Sequence, residues 1–301
     1  MRVLHIFDIG SFVHAGAVNT HSFIEGPILK GADGYRSVTI QTGGVAQILN
    51  TLADIDPEET CIFCADRRPT IKQGMLTSYK ENREHRRNVE NQKEIIEIIL
   101  NDCGYDVLFE EGYEADDFIY SLVQKFKDSY DMIHVYTGDS DLYFLVCENV
   151  DIRPSNSRAK HVTMENYSYT VSSKTSIPYN AVTFNKIVGG DRSDCIPALS
   201  KEAQKTLGGI SRATNLYKYL GDKEFLKSIA EGVHPDFAKQ LELVFPLSVN
   251  VPSELVNKSD YSKVKTWGGI TRAKRFARVS KIPDEFQAVI DEIIARQLYE
   301  D

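Results

Sequence analysis

Short apolar runs of β character, separated by stretches with helical spacing, constrain this chain more than any other feature. Val3–Phe7 is the first run. Gly43-Gly44 then opens a helical pattern through about Ile55, with Val45, Ile48, Leu49 and Leu52 on one face. Cys61–Ala65, Asp106–Phe109 and Ile133–Thr137 read as three further strands. Between them lie Tyr79–Leu100, a helical stretch broken once, and Ala115–Phe126. In the latter, Phe118, Ile119, Leu122, Val123 and Phe126 form an apolar stripe. Strands alternating with helices imply a parallel sheet, and so an α/β domain.

From about Pro178 the pattern turns to helices only: Tyr179–Val188, Ala198–Leu207, Arg212–Leu220, Glu224–Ala230, Asp236–Val244, Arg272–Val279 and Glu285–Leu298. The boundary is expected in the polar stretch Ser168–Ile177, giving an α/β domain over 1–172 and a helical region over 173–301. At 301 residues, about two domains is the ordinary expectation. No run reaches the ~18 apolar residues of a membrane span. The N-terminus turns acidic at Asp8, too soon for a secretory signal. Five scattered cysteines do not make a disulfide scaffold, so reduced thiols and a cytoplasmic location are expected.

The net charge of −8 speaks superficially against a nucleic-acid partner, but the acids are concentrated in knots. These are Glu114/Asp116/Asp117, Asp139/Asp141 and Asp191/Asp194, with Asp8 and Asp66. Setting those nine aside leaves a nearly neutral chain with basic patches. Arg67 to Lys93 carries eight Lys/Arg against three Glu, and Tyr261 to Lys281 seven Lys/Arg and no acid. Acidic knots beside basic segments suggest metal ions at a phosphate-handling site.

Asp8 directly follows the first strand and Asp66 the second, while Asp139 and Asp141 follow the fourth after Thr137-Gly138. In an open parallel sheet the ligand crevice lies outside the carboxyl ends of the strands. Glu114, Asp116 and Asp117 begin the helix after the third strand, which returns them to that edge. Asp191 and Asp194 close the first C-terminal helix. Taken singly, each group reads as a turn, a cap or a complement to a helix dipole. Together they cannot all stay ionised without cations. Oxygen ligands without nearby His or Cys point to Mg²⁺ or Mn²⁺ rather than Zn²⁺. Two such ions can clamp an in-line phosphoryl displacement.

The basic stretch adds a second ingredient. On a helix, Tyr79, Lys80, Arg83, Arg86 and Arg87 fall within an arc of about 120°, which is either a solvated face or a cationic lid with an aromatic for stacking. Arg67 belongs to the same basic stretch. Gly208–Ala213 and Gly268–Ala273 echo each other, each placing Gly-Gly and a Ser or Thr before Arg212 or Arg272. They are similar helix starts or phosphate-facing N-termini. Other chemistries lack their signatures: there is no G-x-x-x-x-G-K-S/T loop, no G-x-G-x-x-G and no H-E-x-x-H. Cys61 and Cys64 lie three apart in a strand, point to opposite faces and read as core.

Six blocks in order then resemble the structure-specific 5′-nucleases, which include phage 5′–3′ exonucleases, flap endonucleases and the 5′-nuclease domain of bacterial DNA polymerase I. They are Asp8, Asp66, Tyr79-Lys80-x-x-Arg83, Glu114-Ala115-Asp116-Asp117, Thr137-Gly138-Asp139-Ser140-Asp141-Leu142 and Gly190-Asp191-x-x-Asp194-x-Ile196-Pro197. They span about Val3–Pro197.

The resemblance implies a PIN-like α/β nuclease domain with a helical arch at about 70–93 and a helix–three-turn–helix element in the helical region. It implies that Asp8, Asp66, Glu114 and Asp116 form one metal site. Asp139, Asp141, Asp191 and Asp194 form the other, with Asp116 or Asp117 between them. Lys80 and Arg83 match contacts to the scissile phosphate, and Tyr79 a base-stacking position. After Pro197 the family usually has a glycine-rich loop that binds duplex phosphates, often with K⁺. Here the chain reads Ala198-Leu199-Ser200-Lys201-Glu202-Ala203, and no glycine follows until Gly208. Gly208–Arg212 or Lys263–Lys281, with Arg272, Lys274, Arg275 and Arg278, is the expected substitute.

The implied activity is Mg²⁺-dependent 5′–3′ exonuclease and flap endonuclease cleavage, with Mn²⁺ able to substitute. It would act as a monomer on DNA ends, nicks and flaps, or on RNA–DNA hybrids, in the cytoplasm of a bacterium or a phage-infected host. The alternatives are a PIN-type single-strand ribonuclease and a non-catalytic flap-binding module.

Overall fold

Val3–Asp8 is buried at all six positions, and it becomes the central strand of the sheet. The computed structural model describes residues 1–16, 23–25, 29–31, 34–36, 39–56, 58–83, 87–155, 161–166, 168–172, 175–178, 182–206, 235–246 and 251–256. In chain order the elements begin β1 (Val3–Asp8), α1 (Ile9–Gly16), β2 (Phe23–Glu25), β3 (Leu29–Gly31), β4 (Gly34–Arg36), β5 (Thr39–Gln41) and α2 (Gly43–Ala53). There follow β6 (Thr60–Cys64), α3 (Thr70–Met75), α4 (Arg87–Asp102), β7 (Val107–Leu108), α5 (Ala115–Phe126), β8 (Met132–Tyr136) and β9 (Val150–Arg153). The hairpin β10 (Ser168–Ser172) and β11 (Thr175–Pro178) leads to α6 (Val182–Gly189), α7 (Lys201–Thr206), α8 (Pro235–Val244) and α9 (Ser253–Val256).

β7-β6-β1-β8-β9 form one five-stranded sheet, parallel throughout. The order runs outward from β1 on one side, then restarts on the other with β8. β1 therefore lies at the topological switch point, where open α/β sheets hold their ligands. Alternation along the strands divides the core in two. Phe7, Cys61, Phe63 and Tyr136 pack with α1, α2 and α4, whereas Leu4, Ile6, Ile62, Cys64, Ile133 and Val135 pack with α5. Cys61 and Cys64 thus face opposite layers as expected, and none of the five cysteines forms a disulfide. A third core joins Tyr79 to Ile187, Val188, Ile196, Phe237 and Phe245, fastening the described C-terminal helices to the chain after α3.

Two expectations change, and the expected boundary stretch has regular structure of its own. The sheet has a fifth strand, β9, which carries Asp151 and Arg153 among its four residues and so looks polar in sequence. The expected boundary stretch is itself a hairpin, β10 and β11. Tyr79–Arg83 is not helical: it forms turns, with Lys80 in the left-handed region at φ 56°. Among the described residues, helix α4 begins at Arg87. The 120° cationic arc is therefore not built, because the buried Tyr79 ring and the pairing of Lys80 override helical spacing. Ala115–Phe126 matches its expected helix to the residue. The segments expected as helices at 212–220, 224–230, 272–279 and 285–298 lie outside the described residues, as do both Gly-Gly echoes.

Candidate metal and phosphodiester site

The carboxyl ends of β1, β6 and β8 place Asp8, Asp66 and Asp139 along one edge. Asp8 is buried, and its Oδ1 accepts the Ser11 N–H at 3.0 Å while its Oδ2 accepts the Thr137 hydroxyl at 2.8 Å. The same Thr137 oxygen accepts the Asp139 N–H at 3.0 Å, so one side chain sets the spacing of two carboxylates. Asp66 Oδ1 accepts the N–H of Ala115, the first residue of α5, at 2.9 Å. A Cβ on Gly10 would stand 2.7 Å from Asp66 Oδ2 and 3.3 Å from Asp8 Oδ1. Glycine at that position lets the two carboxylates approach.

These groups raise one another's proton affinity. Burial and then the charges of Asp66 and Asp139 push Asp8 up to about 7. Burial and then Asp139, Asp8 and Glu114 push Asp116 well above the usual carboxylate range. Asp8, Asp116 and Asp139 have no ion-pair partner among the described residues, and Lys93 Nζ stands 3.9 Å from Asp66. Burial and Asp139 push Asp141 up to about 7 against the pull of Lys186.

The remaining acids are already matched. Glu114 is buried and takes Lys72 Nζ at 2.7 Å and the Tyr79 hydroxyl at 2.9 Å on one oxygen, and Lys80 Nζ on the other. Burial raises its proton affinity, but the two lysines outweigh it and hold the carboxyl below its usual range. Arg83 pairs with Asp194 at 2.6 Å. Lys186 Nζ bridges Asp141 at 2.5 Å and Asp191 at 2.8 Å.

Three of the expected site residues have other partners in this structure. Asp117 turns inward and closes a capping box, its Oδ2 accepting the Glu114 N–H at 2.9 Å, so Asp116 is the acid on the site side of α5. The Tyr79 ring is buried in the third core and presents no face for stacking a base. Arg67 is committed to a two-pronged pair with Glu97 at 2.9 and 2.8 Å and lies 3.8 Å over the Phe109 ring.

The base of the expected arch is pinned instead to the loop after α6. The Lys80 N–H donates to the Asp194 carbonyl at 3.0 Å and Asn82 Nδ2 to the Arg192 carbonyl at 3.0 Å. That loop is closed by paired backbone bonds between Asp191 and Ile196, with Gly190 at φ 77° where a Cβ would meet the Ala198 nitrogen at 2.5 Å. Lys201 is exposed at the start of α7. Arg87 begins α4 with its side chain outside the described residues, where Arg86, Arg212, Arg272, Lys274, Arg275 and Arg278 also lie.

Sequence reading missed Lys72, Lys186 and Ser11, and it named Thr137 within a motif without giving it a role. Lys72 was visible only as one of eight basic residues, and Lys186 stands five residues before Asp191 without any motif to mark it.

The donor set suits a hard divalent cation: all oxygen, partly buried, and short of positive charge at its centre. As they stand, no three His, Cys, Asp or Glu side chains among the described residues close around one point at metal-ligand distances. The fit therefore rests on donor chemistry and charge balance.

A five-stranded parallel sheet with order 3-2-1-4-5 and acids at its switch point defines a PIN-type, resolvase-like nuclease fold. The chain belongs to the family of the 5′-3′ exonuclease N-terminal, resolvase-like domain, which matches residues 18–174. It is 29% identical over 237 residues to DNA polymerase I of Caldicellulosiruptor bescii, covering 75% of this chain and 28% of that protein. It is 27% identical over 253 residues to a 5′-3′ exonuclease of Aquifex aeolicus, covering 82% of this chain and 81% of the relative. The fold is similar to bacteriophage T5 flap endonuclease in a complex with DNA and metal ions, with TM-score 0.55 and 15% identity over 91% of this chain and 100% of that one. No helix among the described residues is long and apolar enough to cross a membrane.

Proposed function

We propose that the chain is a divalent-metal-dependent 5′–3′ exonuclease and flap endonuclease. It hydrolyses phosphodiester bonds near 5′ ends of DNA, RNA–DNA hybrids included, in replication or repair. The observation that carries this reading is the group Asp8, Asp66, Asp116 and Asp139, gathered at the switch point with Lys93, 3.9 Å from Asp66, as the one ion-pair partner among the described residues. The relative named a 5′-3′ exonuclease and the neighbour bound to DNA and metal ions support it.

Asp8, Asp66, Asp116 and Asp139, with Glu114 beside them, would hold one Mg²⁺. Asp139, Asp141, Asp191 and Asp194 would hold the second, with Mn²⁺ able to substitute. When bound, such ions neutralise the clustered carboxylates and supply hydroxide near neutral pH. The chain's own residues do the rest. Ser11 and Thr137 orient both oxygens of Asp8. Lys80 and Arg83 stand at the arch base on Glu114 and Asp194, and they exchange those carboxylates for phosphate oxygens as substrate arrives.

Residues 1–172 form the nuclease unit and 173–301 the duplex grip, in a cytoplasmic monomer. Lys201 and the segment 261–281 supply cations for duplex phosphates in place of the glycine-rich loop. Replacing Lys274, Arg275 and Arg278 with Ala is expected to make the slope of log K against log salt shallower, by roughly 0.9 for each phosphate no longer neutralised. Product mapping on a 5′-labelled flap tests the main reading. Cleavage in Mg²⁺ with none in Ca²⁺ is expected. Binding without cleavage in either ion overturns it.

A further inference from the structure

The two halves of the carboxylate site differ in what balances their charge. Around Asp8 and Asp116 acids predominate; Lys80 acts on Asp116 from beyond contact, and no ammonium or guanidinium is in ion-pair contact with either among the described residues. Around Asp141 and Asp191 a cation is already present. Lys186, in the last turn of α6, puts Nζ 2.5 Å from Asp141 Oδ1 and 2.8 Å from Asp191 Oδ2. The contact is well sheltered, with side-chain exposures of 25% for Lys186, 15% for Asp141 and 8% for Asp191. The other oxygen of Asp191 is also taken, accepting the Ser193 N–H at 2.8 Å and the Ser193 hydroxyl. Asp141 and Asp191 come from different segments, one after β8 and one after α6. Without a cation between them their charges would drive the segments apart.

We infer that Lys186 is a built-in placeholder for the second divalent cation. Its ammonium bridges Asp141 and Asp191, two of the carboxylates that would hold the cation, so the cation would enter only as the ammonium leaves. In the other half, ammonium groups sit at the margin, Lys72 and Lys80 on Glu114 and Lys93 3.9 Å from Asp66, and none bridges Asp8 and Asp116. In DNA-free protein the two positions are therefore unequal: one divalent ion binds tightly, and the second binds weakly because it must displace Lys186. Lys186 is thus a positioning residue that holds the second half of the site assembled before the metal arrives. This inference rests on the metal-dependent reading above.

Mn²⁺ binding to the DNA-free, full-length protein tests it, with stoichiometry and affinities read by calorimetry and by the electron paramagnetic resonance of free Mn²⁺. Wild type is expected to show one tight and one weak equivalent. Lys186→Met removes the charge at nearly constant volume and should tighten the second equivalent by about tenfold to a hundredfold, the scale on which partners of metal-binding carboxylates act. The first equivalent should be unchanged, and Lys186→Arg should behave as wild type. If Lys186→Met does not fold without metal, Lys186→Gln, which keeps a donor but no charge, carries the same expectation. A second equivalent that is unchanged or weaker in the charge-free variant overturns the placeholder role while leaving the metal reading intact. Absence of Mn²⁺ binding in wild type and variants alike overturns the metal reading, and the placeholder with it.

Discussion

Asp8 and Asp151 are both buried, both on strands of the same sheet, and shifted in opposite directions. Asp8 ends β1 among other acids, and its proton affinity rises to about 7. Asp151 sits in β9, in register with His134 of β8, which is in register with His5 of β1. Its oxygens meet His134 Nδ1 at 2.6 Å and His161 Nε2 at 2.8 Å, with Arg153 Nε at 3.6 Å. Burial pushes Asp151 up, but the two histidine hydrogen bonds and Arg153 outweigh it, and the carboxyl ends below its usual range. Burial alone therefore does not mark a functional acid. What separates the two regions is whether the fold supplies the opposite charge. In the polar ladder it does; at the switch point Asp8, Asp116 and Asp139 have no such partner among the described residues, and their charge is left to be balanced from outside.

The largest expected effect follows from that difference. Asp116→Asn or Asp139→Asn should abolish cleavage, a loss of about 1,000-fold or more in turnover on the scale of lost transition-state charge stabilisation. Substrate affinity in Ca²⁺ should stay within a few-fold. Near-wild-type turnover of both variants at saturating Mg²⁺ would break the assignment.

Next in size is the arch base. Lys80→Ala and Arg83→Ala should each cost about 2–4 kcal/mol in the barrier if they clamp developing phosphate charge. Lys72 offers the sharper contrast, because it pairs with the same Glu114 from a position with 3% exposure. Lys72→Met leaves Glu114 and Asp117 with less positive charge in a buried site. Stability should fall by about 3–5 kcal/mol, with turnover of the folded fraction affected less than in Lys80→Ala. Equal turnover losses in the two variants, at matched folded fraction, would show that Glu114 rather than the clamp is what matters.

The strand-following acids were legible because an apolar run that stops at an aspartate is a local signal. Val3–Phe7 before Asp8 and Cys61–Ala65 before Asp66 needed no tertiary information. The start of α5 was legible for the same reason, but which of its acids faces the site was not, since Asp117 is drawn inward by the Glu114 N–H. Tyr79–Arg83 has helical spacing yet forms turns, because its partners are distant in sequence: the third core takes the Tyr79 ring, Glu114 pairs with Lys80, and Asp194, 111 residues away, holds Arg83. β9 was missed because Asp151 and Arg153 find partners only once the sheet is assembled. Lys186 has the same origin: its meaning depends on Asp141, brought to it by the fold.

A pH series on metal-free protein separates the two regions further, because their signs oppose. Asp8 holds its proton more firmly folded than unfolded, so its contribution is complete below its ordinary 3.8 and is lost as pH rises toward about 7. The ionised edge then costs up to about 4 kcal/mol. His5 runs the other way. Burial lowers it from 6.5 to about 4, so its contribution is present above 6.5 and lost as pH falls toward 4. Between pH 5 and pH 7 without metal, His5 therefore offsets much of the Asp8 loss, Asp8→Asn should raise the melting temperature more at pH 7 than at pH 5, and Mg²⁺ should stabilise the wild type most at pH 7. An identical pH profile in Asp8→Asn and wild type would remove Asp8 as a contributor.

The smallest effect on cleavage should come from the ladder itself. Asp151→Asn removes the charge that His134, His161 and Arg153 share, leaving buried donors without their acceptor charge. Arg153 and His161 are 38% and 48% exposed in their side chains, and water compensates them in part. The expected cost is about 1–3 kcal/mol of stability, with the acid side of the stability profile shifted and Mn²⁺ affinity unchanged. Cleavage at saturating Mg²⁺ should equal wild type, because Asp151 faces the α1–α2–α4 layer with His134 rather than the carboxyl ends of the strands. If the folded variant instead lost cleavage as heavily as Asp116→Asn, a matched buried carboxylate would be as functional as an unmatched one. Counter-charge could then no longer be what distinguishes the two regions.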